Sequence, residues 1–206
     1  LLYEAARGGA DVIKDDELIA DPVFNRIVDR LPLYMEGVDK ANSEKGEKTL
    51  YTVNITDTIP KVMENAQAAI DHGANALMIN YLAVGYDAAR WIAEDPSIKV
   101  PILGHMDIAG ALSYSPTTGV STPLVIGKFP RICGMDIEVF PAPYGKAPML
   151  KERYLDMARA MVMPLQHIKP MLPMPSGGIT PSMVPAVMKV GYSMPPAPRP
   201  PKGGST

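Results

Sequence analysis

Gly8-Gly9-Ala10-Asp11-Val12-Ile13-Lys14-Asp15-Asp16-Glu17 packs a helix stop, a short strand and a rim of charge into ten residues. The residues before it, 1–7, read as the end of a helix that Gly8-Gly9 halts. Residues 10–14 then predict a strand. Side chains alternate along a strand, so Val12, Lys14 and Asp16 share one face while Ile13 and Asp15 take the other. Glu17 follows where the strand ends and turns inward from the loop. One amine and two carboxylates thus gather at the C-terminal end of a strand, where barrel enzymes carry their chemistry.

Outward from this unit the same rhythm repeats. A helix over 22–43 precedes a strand over 49–55. A helix over 60–72 follows, opened by Pro60 at its first position and closed by Gly73. Strands over 76–82, 101–105, 136–140 and 168–174 alternate with helices over 86–93, 122–133, 150–163 and 181–190. Such alternation is the mark of βα units around a parallel sheet. Six consecutive units fit an α/β fold of the TIM-type (β/α)8 barrel class, incomplete by two strands. An open flavodoxin-like sheet is the alternative; it would be shorter, and its strand order is not legible in sequence. Residues 1–192 form the barrel domain. Residues 193–206 contain five prolines, which no central strand accommodates, and read as a disordered or extended tail where the next strand should stand.

Composition agrees with one soluble domain. The 206 residues are 47% hydrophobic and 20% charged, and 20 Lys+Arg against 22 Asp+Glu leave a net charge of −2. That balance gives no electrostatic case for nucleic acid. No apolar run approaches the roughly 18 residues of a membrane span. A single cysteine, Cys133, points to a reducing, cytoplasmic setting. The chain opens on Leu1 and reads as a fragment.

Four stretches carry candidate chemistry. Asp16 and Glu17 offer hard oxygens suited to Mg2+. Lys14 beside them would repel a cation as an ammonium, but reaction of its amine with CO2 makes a carbamate, a third anionic donor; burial shifts a lysine in the required direction. The alternative is a solvated charge run opening a helix. Ser176, Gly177 and Gly178, within Met174-Pro175-Ser176-Gly177-Gly178-Ile179-Thr180-Pro181, bring backbone N–H groups to a helix start, a site for phosphate. The alternative is a plain turn with Thr180 as N-cap and Pro181 as first helical residue. Pro141-Ala142-Pro143-Tyr144-Gly145-Lys146-Ala147-Pro148 is either a lid carrying Lys146 or a surface loop. His105 ends the fourth strand, where an imidazole can donate to phosphate or move a proton, or serve structure alone. His72 before Gly73 reads as a helix C-terminal cap.

The string Gly8 to Glu17 resembles the metal-site motif of the RuBisCO large-subunit superfamily. Asn54, His105, Gly145-Lys146 and Ser176-Gly177-Gly178 follow in that family's order, so the resemblance spans about residues 1–192 of its C-terminal barrel. It implies a carbamylated Lys14 with Asp16 and Glu17 as Mg2+ ligands, and CO2 as the activating group. It implies that Lys146 stabilises added CO2 or a related anion, that Ser176, Gly177 and Gly178 bind a substrate phosphate or hydroxyl, and that Asn54 and His105 line the pocket. It also implies a homodimer or larger assembly, because a neighbour's N-terminal domain completes each site. Departures matter. Met106 stands where the family's carboxylases have a phosphate-gripping arginine, Ala109 where they have a second histidine, and Val139 (or Glu138) where an imidazole precedes the mobile loop. These losses point to a RuBisCO-like protein that forms an enolate from a phosphorylated ketose or keto sugar acid, as an enolase/isomerase or a decarboxylase/transcarboxylase. True ribulose-bisphosphate carboxylation and a truncated, non-catalytic fragment are the alternatives.

Overall fold

Short apolar runs flanked by glycine and asparagine do become strands, and the longer amphipathic segments become the helices between them. The computed structural model describes residues 1–147 and 149–191; the proline-rich stretch expected to be a tail lies outside them. In chain order come α1 (Leu2–Arg7), β1 (Val12–Lys14), α2 (Ile27–Lys45), β2 (Leu50–Asn54), α3 (Lys61–Asp71) and β3 (Ala76–Ile79). Then follow α4 (Tyr81–Val84), α5 (Tyr86–Glu94), β4 (Ile102–Gly104), α6 (Ala109–Ser113) and a π-helical turn, Pro123–Lys128, running into α7 (Phe129–Ile132). The last are β5 (Ile137–Pro141), α8 (Lys151–Val162), β6 (Leu172–Ser176), a 3-10 turn at Pro181–Met183 and α9 (Val184–Gly191).

All six strands are parallel and lie in the order β1-β2-β3-β4-β5-β6. A doubly wound sheet would reverse its order at a switch point; this one advances monotonically, so it is the wall of an incomplete TIM-type barrel. Its two faces are both apolar. Val12, Met78, Leu103, Ile137, Val139 and Met174 pack together on the inner face, and only strand residues join that cluster. Tyr51, Val53, Ile55, Leu77, Ile79, Ile102 and Phe140 face the other way, against Leu31, Val38, Val62, Ala66, Ile92, Tyr154 and Met157 of the helices. This double burial is why the strands read as near-continuous hydrophobic runs.

The elements depart from the sequence reading at several places, α6 and the π-helical turn among them; four bear on the site, and the first two have a visible side-chain cause. First, α2 starts at Ile27 rather than 22. The Asp21 carboxylate accepts the Ile27 N–H at 2.6 Å and Arg26 Nε at 2.7 Å, while Arg30 donates to the carbonyls of Ala20 and Asn25, and these bonds hold 20–26 out of the helix. Second, β6 begins at Leu172 rather than 168, because the buried Arg131 guanidinium takes the carbonyls of Ile168 and Lys169 that a longer strand would use. Third, the strand expected over 76–82 stops at Ile79, with α4 starting two residues on. Fourth, Pro60 precedes α3 instead of opening it.

Within β6, Leu172 N donates to Asp136 O and Ser176 O accepts from Ala142 N, so even-numbered residues bond β5. Pro173 and Pro175 therefore lie on the outer edge of the sheet, where they offer no N–H. Prolines are tolerated where no ladder partner draws on their missing N–H, as here among the described residues. Among the described residues no helix is long and apolar enough to cross a membrane.

Candidate active site at the barrel rim

The strand parity expected from the sequence is what arms the rim. Val12 is in the inner cluster, so Lys14, two residues on, ends β1 on the inner face. Its Nζ donates to Glu17 Oε2 at 2.7 Å and to the carbonyl of Asp15 at 2.9 Å. The hydrogen bond from Lys14 holds the Glu17 carboxyl below the usual carboxylate range. His105 follows β4 and is 6% exposed; its Nε2 lies 3.7 Å from Glu17 Oε2 and its Nδ1 3.3 Å from Asp107 Oδ1. Burial pushes the imidazole pKa down, against the pull of Asp107.

The loop that carries Asp16 and Glu17 is pinned by two buried asparagines. Asn54 Nδ2 donates to the carbonyls of Asp16 (3.2 Å) and Glu17 (3.0 Å), and Asn80 Nδ2 donates to the same Glu17 carbonyl at 2.7 Å. Beneath them Asp15, on the opposite face as its parity predicts, is a buried hub. It accepts Arg30 Nη2 at 2.9 Å, the Asn54 N–H at 3.0 Å and the Tyr51 hydroxyl. Burial and the Asp15 charge drive the Tyr51 pKa far up, so that hydroxyl stays a donor. The helix-opening reading of the Asp15–Glu17 charge run does not hold: no helix starts until Ile27.

A second group forms where β5 and β6 end. Lys146 N donates to the Gly177 carbonyl at 2.6 Å, and Ala142 N to that of Ser176 at 3.1 Å. Gly177 and Gly178 have φ of +96° and +79°, conformations that other residues rarely adopt. Gly145 sits so close that a Cβ there would collide with the Gly177 carbonyl oxygen. The lysine loop is therefore docked on the Ser176-Gly177-Gly178 turn. Thr180 makes no side-chain cap bond to the helix that follows.

The expected residues are thus gathered into two sets. Lys14, Glu17, Asn54 and His105 share one; Lys146, Ser176, Gly177 and Gly178 the other. Asp16 differs. Its side chain is exposed and its Oδ1 accepts the Leu18 N–H at 2.9 Å, closing a turn of its own. Two residues escaped the sequence reading. Asn80 was hidden in an over-long strand, although it follows an apolar run just as Asn54 ends one. Asp107 stands two residues after His105 and, with it and Glu17, offers donor atoms that all lie within 4.8 Å of one another. His72 does cap its helix, its Nδ1 lying 2.8 Å from the Ala68 carbonyl.

Comparison with known families supplies the remaining evidence. Residues 1–193 match the family model for the ribulose bisphosphate carboxylase large chain, catalytic domain. The chain belongs to the RuBisCO large-chain family. Within that family it is 58% identical over 188 residues to a ribulose bisphosphate carboxylase-like protein of Archaeoglobus fulgidus, covering 91% of this chain and 43% of the relative. It is 37% identical to a 2,3-diketo-5-methylthiopentyl-1-phosphate enolase of Bacillus cytotoxicus, again over 91% of this chain and 45% of the relative. The solved rubisco-like protein (MtnW) of Alicyclobacillus acidocaldarius superposes with a TM-score of 0.83 at 35% identity, covering 91% of this chain and 47% of that one. The chain therefore spans less than half the length of these RuBisCO-like relatives.

Proposed function

We propose that this barrel segment serves a Mg2+-dependent enolase-type reaction, taking a proton from the carbon beside the carbonyl of a phosphorylated ketose or diketone. The observation that carries the reading is Glu17 held between the Lys14 amine and the His105 imidazole at the C-terminal rim, with the glycine turn across β5 and β6. The enolase name of a relative favours enolisation over the decarboxylase or transcarboxylase type. Met106, in place of a cation, argues against a bisphosphate carboxylase.

The donor set suits the ion. Glu17 Oε2 now accepts from the Lys14 ammonium; a carbamate on Nζ would replace that cation by a second anion beside the carboxylate, and the two anions would need a cation to join them. Lys14 as its carbamate, Asp16 and Glu17 would hold Mg2+; Asp16 would give up its Leu18 contact to do so. When bound, Mg2+ acts as a Lewis acid on the substrate carbonyl and spreads the developing negative charge. The protein does the rest. Asn54 and Asn80 hold the loop so that Glu17 meets a fixed geometry. His105, buried and facing Glu17, lines the pocket and holds or moves a proton at Nε2. The N–H groups of Gly177 and Gly178, with the Ser176 hydroxyl beside them, bind the substrate phosphate, and Lys146, docked over them, places its cation at the developing anion. A homodimer or larger assembly in the complete protein would cover Leu18, Val23 and Phe24, all exposed in the rim loop.

The test is conversion of 2,3-diketo-5-methylthiopentyl-1-phosphate by the complete gene product, followed by NMR, with K14A alongside. Wild type is expected to form the enol in Mg2+ and bicarbonate, and K14A to lose at least a hundredfold in rate. An undiminished K14A refutes the assignment.

A further inference from the structure

The mechanism above leaves buried polar atoms beside Glu17 unused. His105 is more than nine-tenths buried, yet its Nδ1 has no hydrogen-bond partner, and the buried Oδ2 of Asp107 has none either. Orphaned atoms of this kind cost about 1–3 kcal/mol each, so their convergence calls for a ligand. The groups are a neutral-capable imidazole and two carboxylates. One donor atom from each lies within 4.8 Å of the other two, and contraction around a cation with bonds of about 2.1 Å would bring them into its first shell. The two carboxylates now meet different ring nitrogens, Asp107 Oδ1 at 3.3 Å from Nδ1 and Glu17 Oε2 at 3.7 Å from Nε2, so sharing one ion requires one of these side chains to swing toward the nitrogen the other uses.

We propose that Glu17, His105 and Asp107 bind a divalent transition metal of the Mn2+ to Zn2+ series, with no carbamate on Lys14. An imidazole nitrogen with two carboxylates selects such borderline ions over Mg2+, which prefers all-oxygen shells with water. Glu17 is common to this site and to the Mg2+ site proposed above, but the triad stands without that reading. Lys14 opposes occupancy here, because its ammonium holds the same Glu17 oxygen; its removal leaves binding intact or tightens it. CO2 is therefore expected to govern the Mg2+ site and to be irrelevant to this one.

Titration of the full chain with Mn2+ in CO2-free buffer, read by loss of the free-ion EPR signal, tests the site directly. One Mn2+ per chain is expected. D107N, at a half-exposed loop position, and H105Q should each weaken it about tenfold or more, with far-UV circular dichroism unchanged. K14A should bind at least as well as wild type, and Zn2+ should displace Mn2+ at lower concentration than Mg2+ does. Failure of wild type to bind Mn2+ without CO2 overturns the proposal, as does binding that D107N and H105Q leave unchanged. Binding that appears only with bicarbonate and vanishes in K14A also overturns it, while supporting the carbamate site; Asp107-dependent Mn2+ binding with no enol formation does the reverse.

Discussion

Replacing Asp15 by Asn should destabilise the fold more than any change to the neighbouring Asp16. Asp15 and Arg30 have side chains 5% and 3% exposed and meet at 2.9 Å. The same carboxylate accepts the Asn54 N–H, Arg30 Nε at 3.3 Å and the Tyr51 hydroxyl. An amide keeps one acceptor oxygen and turns an NH2 toward a ring of donors, and the guanidinium stays buried without its counter-charge. Breaking a buried pair from one side costs about 3–5 kcal/mol, a third or more of the stability of a typical domain. D15N/R30M removes the stranded charge but also loses the Arg30 bonds to Ala20 O and Asn25 O, each worth about 1 kcal/mol net. The double variant should therefore recover at least 1 kcal/mol relative to the sum of the singles. Urea unfolding followed by far-UV circular dichroism measures all four proteins. A D15N cost below 1 kcal/mol, or strict additivity in the cycle, would refute the reasoning.

Two other outcomes follow. Glu138 is fully buried, and burial raises its pKa well above 4.5 although the Tyr81 hydroxyl donates to it at 2.8 Å. Raised in the folded chain, this acid binds more protons folded than unfolded, so its contribution is intact below about pH 4.5 and falls by about 1.4 kcal/mol per pH unit up to the folded pKa. E138Q should match wild type in urea midpoint at pH 4 and exceed it at pH 8; an equal loss at both would show that the carboxyl is not protonated. Separately, G145A should force the lysine loop off the Gly177 carbonyl, lowering kcat/KM for the proposed enolisation by the full-length protein at least tenfold with little change in Tm. Wild-type kinetics in that variant would show that the docked loop is irrelevant to turnover.

Much of the fold was readable because βα repetition is local. Apolar runs ending in Asn54 and His105 marked the rim, and two-residue parity correctly set Lys14 on the inner face and Asp15 on the other. Two of the misread boundaries belong to side-chain bonds, one of them long-range. Asp21 reaches Ile27 and Arg131 reaches Lys169, and nothing in a local window reveals that a guanidinium 38 residues away consumes a strand's carbonyls. The site shows the same division. Which residues reach the rim was legible, but how they pair was not. Asp16 spends its carboxylate on a turn, Asp107 converges with Glu17 and His105, and Asn80 clamps a loop 63 positions earlier.

Everything assigned to the Mg2+ site depends on the Lys14 amine becoming an oxygen donor. Nuclear magnetic resonance of the complete protein in 13C-labelled bicarbonate and Mg2+ reads this directly. A carbamate carbonyl signal from wild type, absent from K14A and lost when Mg2+ is removed, is the predicted result. No such signal in wild type, or the same signal in K14A, would contradict it.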